Sequence, residues 1–235
     1  MPPSHTSGTT ISAAAAGLGL SISSAQHSRL DRYLALVDEW RDRVQLTGAD
    51  SADLPAVLVV GALCVLPFVP DSGRLVDLGS GAGVPGIPIA ILRPGLHVVL
   101  ADAARKKAAF LEVAARALAL TNVAVVHARA EDLGRDPAHR EQYDVATARA
   151  VAPVRVLAEY ALPLLRLGGE AVLPKGRGAE DEVRAAVRAL HLLGGETAVH
   201  SPRTEFCSPV VVVRKIAPTP AAYPRRAGTP QRHPL

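Results

Sequence analysis

Asp77 is followed directly by Leu78-Gly79-Ser80-Gly81-Ala82-Gly83, an acid set against a glycine-rich turn. Glycines at such spacing permit a tight bend and let backbone approach a ligand closely. Gly81-Ala82-Gly83-Val84-Pro85-Gly86 also fits GxGxxG, the dinucleotide fingerprint, which alone is a weak signal. The acid separates the two chemistries. A dinucleotide lays its pyrophosphate on this turn, where a nearby carboxylate repels it. S-adenosylmethionine (SAM) carries an ammonium and a sulfonium instead, and an acid just before the first glycine helps by pairing or through water. Asp102 then suits the ribose hydroxyls, a role both cofactors share, and Glu131-Asp132 adds an acidic edge near the adenine. The bland alternative is a strand–helix corner with surface acids by chance.

The acceptor is narrowed by absences. Exocyclic-amine methyltransferases place Asn/Asp-Pro-Pro-aromatic after the fourth strand, where this chain reads Ala146-Thr147-Ala148-Arg149-Ala150. Pyrimidine C5 chemistry needs a nucleophilic cysteine, and neither Cys64 nor Cys207 has a Pro-Cys context. A heteroatom that attacks without covalent help remains. Guanine N7 fits, because it has a lone pair and no proton to lose. Catalysis is then chiefly positioning. Arg149 can hold a guanine edge or a phosphate through its planar fork, or form a salt bridge to Asp77, Glu131 or another site acid. Lys175 reads as an RNA phosphate contact or as an ordinary surface lysine. Arg149 and Lys175 are the candidates for a catalytic role, and no metal-ligand cluster is apparent.

Strand–helix alternation must position these residues. Strands are expected at residues 75–78, 97–101, 123–127, 143–147 and 170–173, each ending near a candidate residue, with helices at 86–92 and 153–167 among those between them. A helix opens on Glu180, Asp181 and Glu182, favourable against its dipole, with Val183, Ala186, Val187, Leu190 and Leu193 as its stripe. Residues 197–200 and 210–216 close the fold as an antiparallel pair. The pattern predicts an α/β, Rossmann-like, mostly parallel doubly wound sheet. Residues 25–70 form an N-terminal helical cap: Leu30, Tyr33, Leu34, Val37, Trp40 and Val44 follow helical spacing, and a second apolar stretch covers 54–69. That stretch is interrupted by Pro55, Gly61 and Pro67 and falls short of a membrane span.

Composition sets the outer limits. In 235 residues, 49% are hydrophobic and only 3% aromatic, which suits a Val/Leu-rich sheet under Ala-rich helices. A formal net charge of +4 points only weakly to polyanions. Residues 1–24 hold no Asp, Glu, Lys or Arg and nine Ser or Thr, so a disordered leader is expected. Residues 71–216 are the cofactor-binding domain. The tail 217–235 is basic and Pro-rich; from Arg214 onward there are five Arg or Lys, five prolines and no acid, so extended chain is expected. Two cysteines outside any framework suit a reducing cytoplasm.

Taken together, Val76-Asp77-Leu78-Gly79-Ser80-Gly81-Ala82-Gly83-Val84-Pro85-Gly86-Ile87-Pro88, then Thr147-Ala148-Arg149-Ala150-Val151-Ala152, Lys175-Gly176 and Tyr223-Pro224-Arg225-Arg226-Ala227-Gly228-Thr229-Pro230 resemble the small-subunit ribosomal RNA guanine-N7 methyltransferases, the glucose-inhibited division protein B family (RsmG). The resemblance runs from about residue 30 to the C-terminus. It implies a class I SAM-dependent enzyme, bacterial, cytoplasmic and monomeric, acting on one guanine in the decoding region of 16S rRNA, as naked RNA or in the 30S particle. On the family pattern Gly79, Val84, Ala130, Glu131 and Arg149 contact SAM, joined by Asp102 and Ala103; Asp77, Gly81 and Gly83 complete the turn. Lys175, Arg225 and Arg226 are the expected RNA contacts. Gln45 stands where the family has Asn, apolar residues 58–63 replace a basic-His…Asp-Ser cluster, and Ser208 replaces an arginine. A small-molecule methyltransferase and a catalytically silent RNA- or ribosome-binding protein are the competing possibilities.

Overall fold

The computed structural model describes residues 5–202 and 204–235. The chain opens with helix α1 (His5–Gly17), Ala-rich and therefore of high intrinsic helicity. Ile11, Ala14 and Ala15 are buried, at the i, i+3, i+4 spacing of one helical face. Beyond the helix, Leu20 N donates to Ala15 O at 2.9 Å across Gly19, whose φ is +69°. The expectation of a disordered leader is thus corrected. With no charged face to mark the helix, its period is hidden in a run of small residues.

Helix α2 (Ser24–Val44) starts with a reciprocal cap: Ser23 Oγ accepts from Gln26 N, and Gln26 Oε1 accepts from Ser23 N. Its stripe of Leu30, Tyr33, Leu34 and Val37 is buried. A π-wound segment over Pro55–Val60 runs into the short α3 (Gly61–Leu63). The stretch Ser51–Phe68 reaches the length and mean hydropathy of a membrane span, 18 residues at 1.9, contrary to expectation. Half of it is buried inside the fold, and it serves here as core.

Strand β1 (Ser72–Leu78) leads to α4 (Gly86–Leu92), β2 (Gly95–Asp102), α5 (Arg105–Ala117), β3 (Val123–His127), α6 (Ala130–Leu133) and β4 (Tyr143–Thr147). Then follow α7 (Val154–Ala161), β5 (Leu165–Pro174), α8 (Ala179–Leu193), β6 (Gly195–His200), β7 (Val210–Lys215) and α9 (Thr229–Arg232). The seven strands lie in the order β3-β2-β1-β4-β5-β7-β6, with β1 to β5 parallel and β7 antiparallel to both neighbours. Helix α7 stops about six residues earlier than its apolar pattern suggested. Pro163 lies just past its end, and residues from Leu165 extend β5 instead. On α8 the stripe turns through Ala186, Ala189, Leu190 and Leu193, leaving Val187 exposed.

Side chains alternate across each strand, and the core divides accordingly. Leu75, Val98 and Leu100 face the cap, α4 and α5, while Val76, Leu78 and Ala101 face α6, α7 and α8. The cap therefore supplies one covering layer of the sheet and shares its core. Cys64 and Cys207 form a disulfide joining the cap to the β6–β7 connection, across 143 residues. The reading of two cysteines outside any disulfide framework is corrected, because only the fold brings them within reach.

The basic tail does not hang free. Arg225 donates through Nε and Nη2 to the buried Glu159 carboxylate, at 2.9 and 2.6 Å, and its backbone N adds a third bond at 2.8 Å. Arg140 donates to the carbonyls of Thr219 and Tyr223. Acids and arginines of the domain thus clasp a segment whose own composition suggested extended chain.

Candidate active site

The carboxyl ends of β1, β2 and β4 meet at a cavity of about 400 Å³, where ligands bind in open α/β sheets. Gly79, Gly81, Val84, Asp102 and Arg149 line it. The turn is held rigid from behind. Gly79 N and Ser80 N both donate to Ala101 O, and Ser80 Oγ donates to Asp77 O at 2.8 Å. Glycines 79, 81 and 83 have φ of +66°, +56° and +92°. A side chain at Gly83 would collide with Ile87, whereas the nearest atom to one at Gly81 would be Gly79 O at 3.8 Å. The first enforces close packing under the turn, and the second leaves space above it.

Asp77 lies fully buried beneath the turn. Its Oδ2 accepts from Gly86 N at 3.1 Å, and its Oδ1 has no hydrogen-bond partner among the described residues. Burial, with a smaller contribution from Asp102, pushes its carboxyl up to about 7 against the hydrogen bond from Gly86 N. A buried carboxylate oxygen without a donor is costly unless a cation or donor meets it. Asp102 instead receives Gly81 N on one oxygen and Ala104 N on the other, both at 2.8 Å, which fixes it at the rim.

Arg149 follows β4 and lines the cavity on the side toward the cap. Its Nη1 donates to Val57 O in the π-wound segment, and among the described residues it has no ion pair within 4 Å. Burial lowers the pKa of its guanidinium, and Tyr33 opposes that shift. The salt bridge weighed from sequence is not formed. Ala150, next to it, has φ +55°, a left-handed conformation that costs a non-glycine residue free energy and concentrates at functional sites.

Other expected residues lie elsewhere. Asp77 and Gly83 shape the turn from below. Ala103 follows β2 and its carbonyl meets His127 Nε2 at 3.1 Å. Ala130 opens α6, and Glu131 is buried, accepting Gly228 N from the tail at 2.7 Å. Burial, with the nearby Glu131 and Glu159 charges, raises the Tyr160 phenol to about 12. Lys175 is no free phosphate contact. Its Nζ is held by Glu182 at 2.9 Å and by Ala152 O at 2.7 Å. Arg225 is occupied by Glu159, as described above. Arg226 remains exposed.

The sequence reading missed Thr47, Val57, Lys107 and Tyr33. The first three line the cavity. Arg105, Lys106 and Lys107 occupy the first turn of α5, where cations oppose the helix dipole, and that breach of a local rule was a usable signal. Tyr33 was read only as part of an apolar stripe. Its hydroxyl donates to Ala82 O at 2.9 Å, fastening α2 to the glycine turn, and burial raises its pKa. Tyr33→Phe is expected to cost about 1–2 kcal/mol in urea denaturation by leaving that carbonyl unpaired, and to weaken SAM binding. Unchanged values for both would remove Tyr33 from the site.

The family model for rRNA small subunit methyltransferase G matches residues 26–205. The protein named ribosomal RNA small subunit methyltransferase G from Chloroflexus aggregans is 47% identical over 223 residues, covering 92% of this chain and 93% of its own. Its namesake from Roseiflexus castenholzii is also 47% identical, covering 92% and 95%. The chain belongs to this family. Its members are SAM-dependent methyltransferases, and SAM is the cofactor of this enzyme. A variant of the 16S rRNA (adenine(1408)-N(1))-methyltransferase from Catenulisporales acidiphilia shares the fold at TM-score 0.52 and 18% identity, covering 63% of this chain and 87% of its own. A protein from Corynebacterium glutamicum gives 0.54 at 19% identity, covering 79% and 90%. As a family member the enzyme has a glycine-rich turn that fits its cofactor: Asp77 keeps a free buried oxygen for a cation, and Gly81 leaves room above the backbone.

Proposed function

We propose that this enzyme transfers a methyl group from SAM to N7 of a guanine in the decoding region of 16S rRNA. The observation that carries it, beside family membership, is the 400 Å³ cavity at the strand ends, with the buried Asp77 carboxylate beneath it. Gly79, Gly81, Val84, Asp102 and Arg149 would hold the cofactor, with Ala103, Ala130 and Glu131 as its further contacts, Glu131 on the side of the adenine. When bound, SAM supplies an electrophilic methyl group on a sulfonium.

The chain's own part is positioning. Asp77 meets the cofactor's positive end, Asp102 holds its ribose, and Arg149 closes the cap over it. Guanine N7 needs no general base, so alignment is the main requirement. Exposed Arg105, Lys106 and Arg226 supply cations for RNA phosphate, and binding should weaken with salt. The enzyme works as a cytoplasmic monomer without metal, on rRNA or on the 30S particle.

Incubation with methyl-labelled SAM and 16S rRNA or 30S particles lacking the modification, followed by nucleoside analysis, tests this. One labelled 7-methylguanosine is expected. SAM binding without that product would sink the proposal.

A further inference from the structure

A second cavity, of about 490 Å³, adjoins the first and shares Arg149, Ala150 and Val151 with it. Pro153 and Pro174 give it apolar walls, and Lys175 and Glu182 supply its other charged groups. Glu182 is fixed in place. Its Oε2 forms an ion pair with Lys175 Nζ and accepts a hydrogen bond from Val154 N, each at 2.9 Å. Its Oε1 has no hydrogen bond among the described residues. Lys175 is in turn anchored on Ala152 O, with its side chain only 10% exposed.

This arrangement discriminates between ligands. Beside Glu182 a phosphate is disfavoured, because that carboxylate neutralises Lys175 and no unpaired cation stands there; Arg149 lies at the wall shared with the cofactor cavity. A flat neutral ring offering two adjacent donors suits the proline walls and the free oxygen, which keeps both lone pairs. Among the RNA bases only guanine presents adjacent N–H donors, N1–H and the N2 amino group. We infer that the second cavity receives the acceptor base, and that Glu182, positioned by Lys175 and Val154 N, reads this edge of guanine. The inference rests on the guanine-N7 proposal above and adds the residue that selects the base.

Geometry and charge agree. With N1 and N2 on Glu182, N7 lies on the opposite edge of the purine, free to face the wall shared with the cofactor cavity. In the transfer, the N7 lone pair forms the new N–C bond, the C–S bond breaks, and its electron pair stays on sulfur. No proton leaves N7. The positive charge passes from sulfonium to purine, making N1–H a stronger donor. A carboxylate there binds the transition state more tightly than the neutral base, which accelerates the step.

The test uses the full chain with S-adenosylhomocysteine bound. GMP, IMP and AMP are titrated by calorimetry, IMP lacking the N2 amine and AMP both donors. GMP is expected to bind about tenfold or more tighter than IMP or AMP. Glu182→Gln should abolish that preference, lower kcat on 16S rRNA about a hundredfold and leave affinity for S-adenosylhomocysteine within twofold. Glu182→Asp should restore part of the preference. Ser208→Trp, another residue of the cavity lining, should weaken binding of all three nucleotides while sparing S-adenosylhomocysteine, and serves if the Glu182 variants misfold. Equal affinities for GMP and AMP, or an unimpaired Glu182→Gln enzyme, would overturn the inference. Wild-type enzyme that prefers GMP yet methylates no 16S rRNA would instead overturn the preceding proposal.

Discussion

Asp77→Asn should weaken SAM binding about 10- to 100-fold at pH 7.5 and flatten its dependence on pH. Asp77 is fully buried with one oxygen unpartnered and is poised at about 7. In the free protein it is therefore about half protonated at neutrality. A cation arriving over the turn favours the carboxylate, so binding expels a proton. Affinity should rise with pH up to about 7 and level off above it. Asparagine keeps an oxygen for Gly86 N but carries no charge. Loss of a charge-assisted hydrogen bond of about 1.5–3 kcal/mol gives the stated range. Calorimetry from pH 5.5 to 7.5 measures it, and the variant itself reports the ligand's own titration. Identical pH profiles for both proteins would refute the role of Asp77.

The same group has an opposite effect on folding. Its folded pKa of about 7 lies above the 3.8 of an ordinary aspartate. Between those values the native state holds more protons than the unfolded chain. Stability from this group is present at low pH and is lost as pH rises through about 7. Asp77→Asn should remove that decline in denaturant titrations. The wild-type site thus gives up stability at neutral pH to keep a buried carboxylate beneath the turn.

Arg225→Ala should destabilise the enzyme by about 3 kcal/mol, chiefly through the carboxylate it abandons. Glu159 has 1% of its side chain exposed and receives three bonds from Arg225 at 2.6–2.9 Å. Breaking a buried pair from one side costs about 3–5 kcal/mol. The lower end applies because the backbone N of residue 225 still donates and Arg225 is itself partly exposed. Glu159→Gln in the same background should recover part of the loss, since the isolated charge disappears. Denaturation midpoints read this directly. An RNA-contact role predicts the reverse pattern: unchanged stability and a shallower salt dependence of RNA binding.

These two cases mark the boundary between local and tertiary information. The glycine turn was legible because its chemistry lies within Asp77–Gly86, and its strand–turn–helix context repeats in the alternation that follows. Strands β3 and β4 match their expected residues, since a buried parallel strand is a short apolar run between turn signals. Asp102 and Arg149 could be placed at strand ends for the same reason. The tail could not be read that way. Its partners Glu159, Glu131 and Arg140 lie 66–97 residues away from Arg225, Gly228 and Tyr223, and no local pattern marks them as partners of the tail.

Helix α1, the Cys64–Cys207 bond and the Lys175–Glu182 pair share that character. Each is decided by which surface the folded chain brings alongside. By itself, the sequence determined a doubly wound sheet with a SAM turn at its switch point, because backbone conformation and cofactor charge act within a few residues. Tertiary structure alone decided which charges are free. It occupied Lys175 and Arg225, left Asp77 with an open oxygen, and set a second cavity beside the first. Whether a charge serves binding or folding depends on its neighbours in space, and those were drawn from segments far apart in the chain.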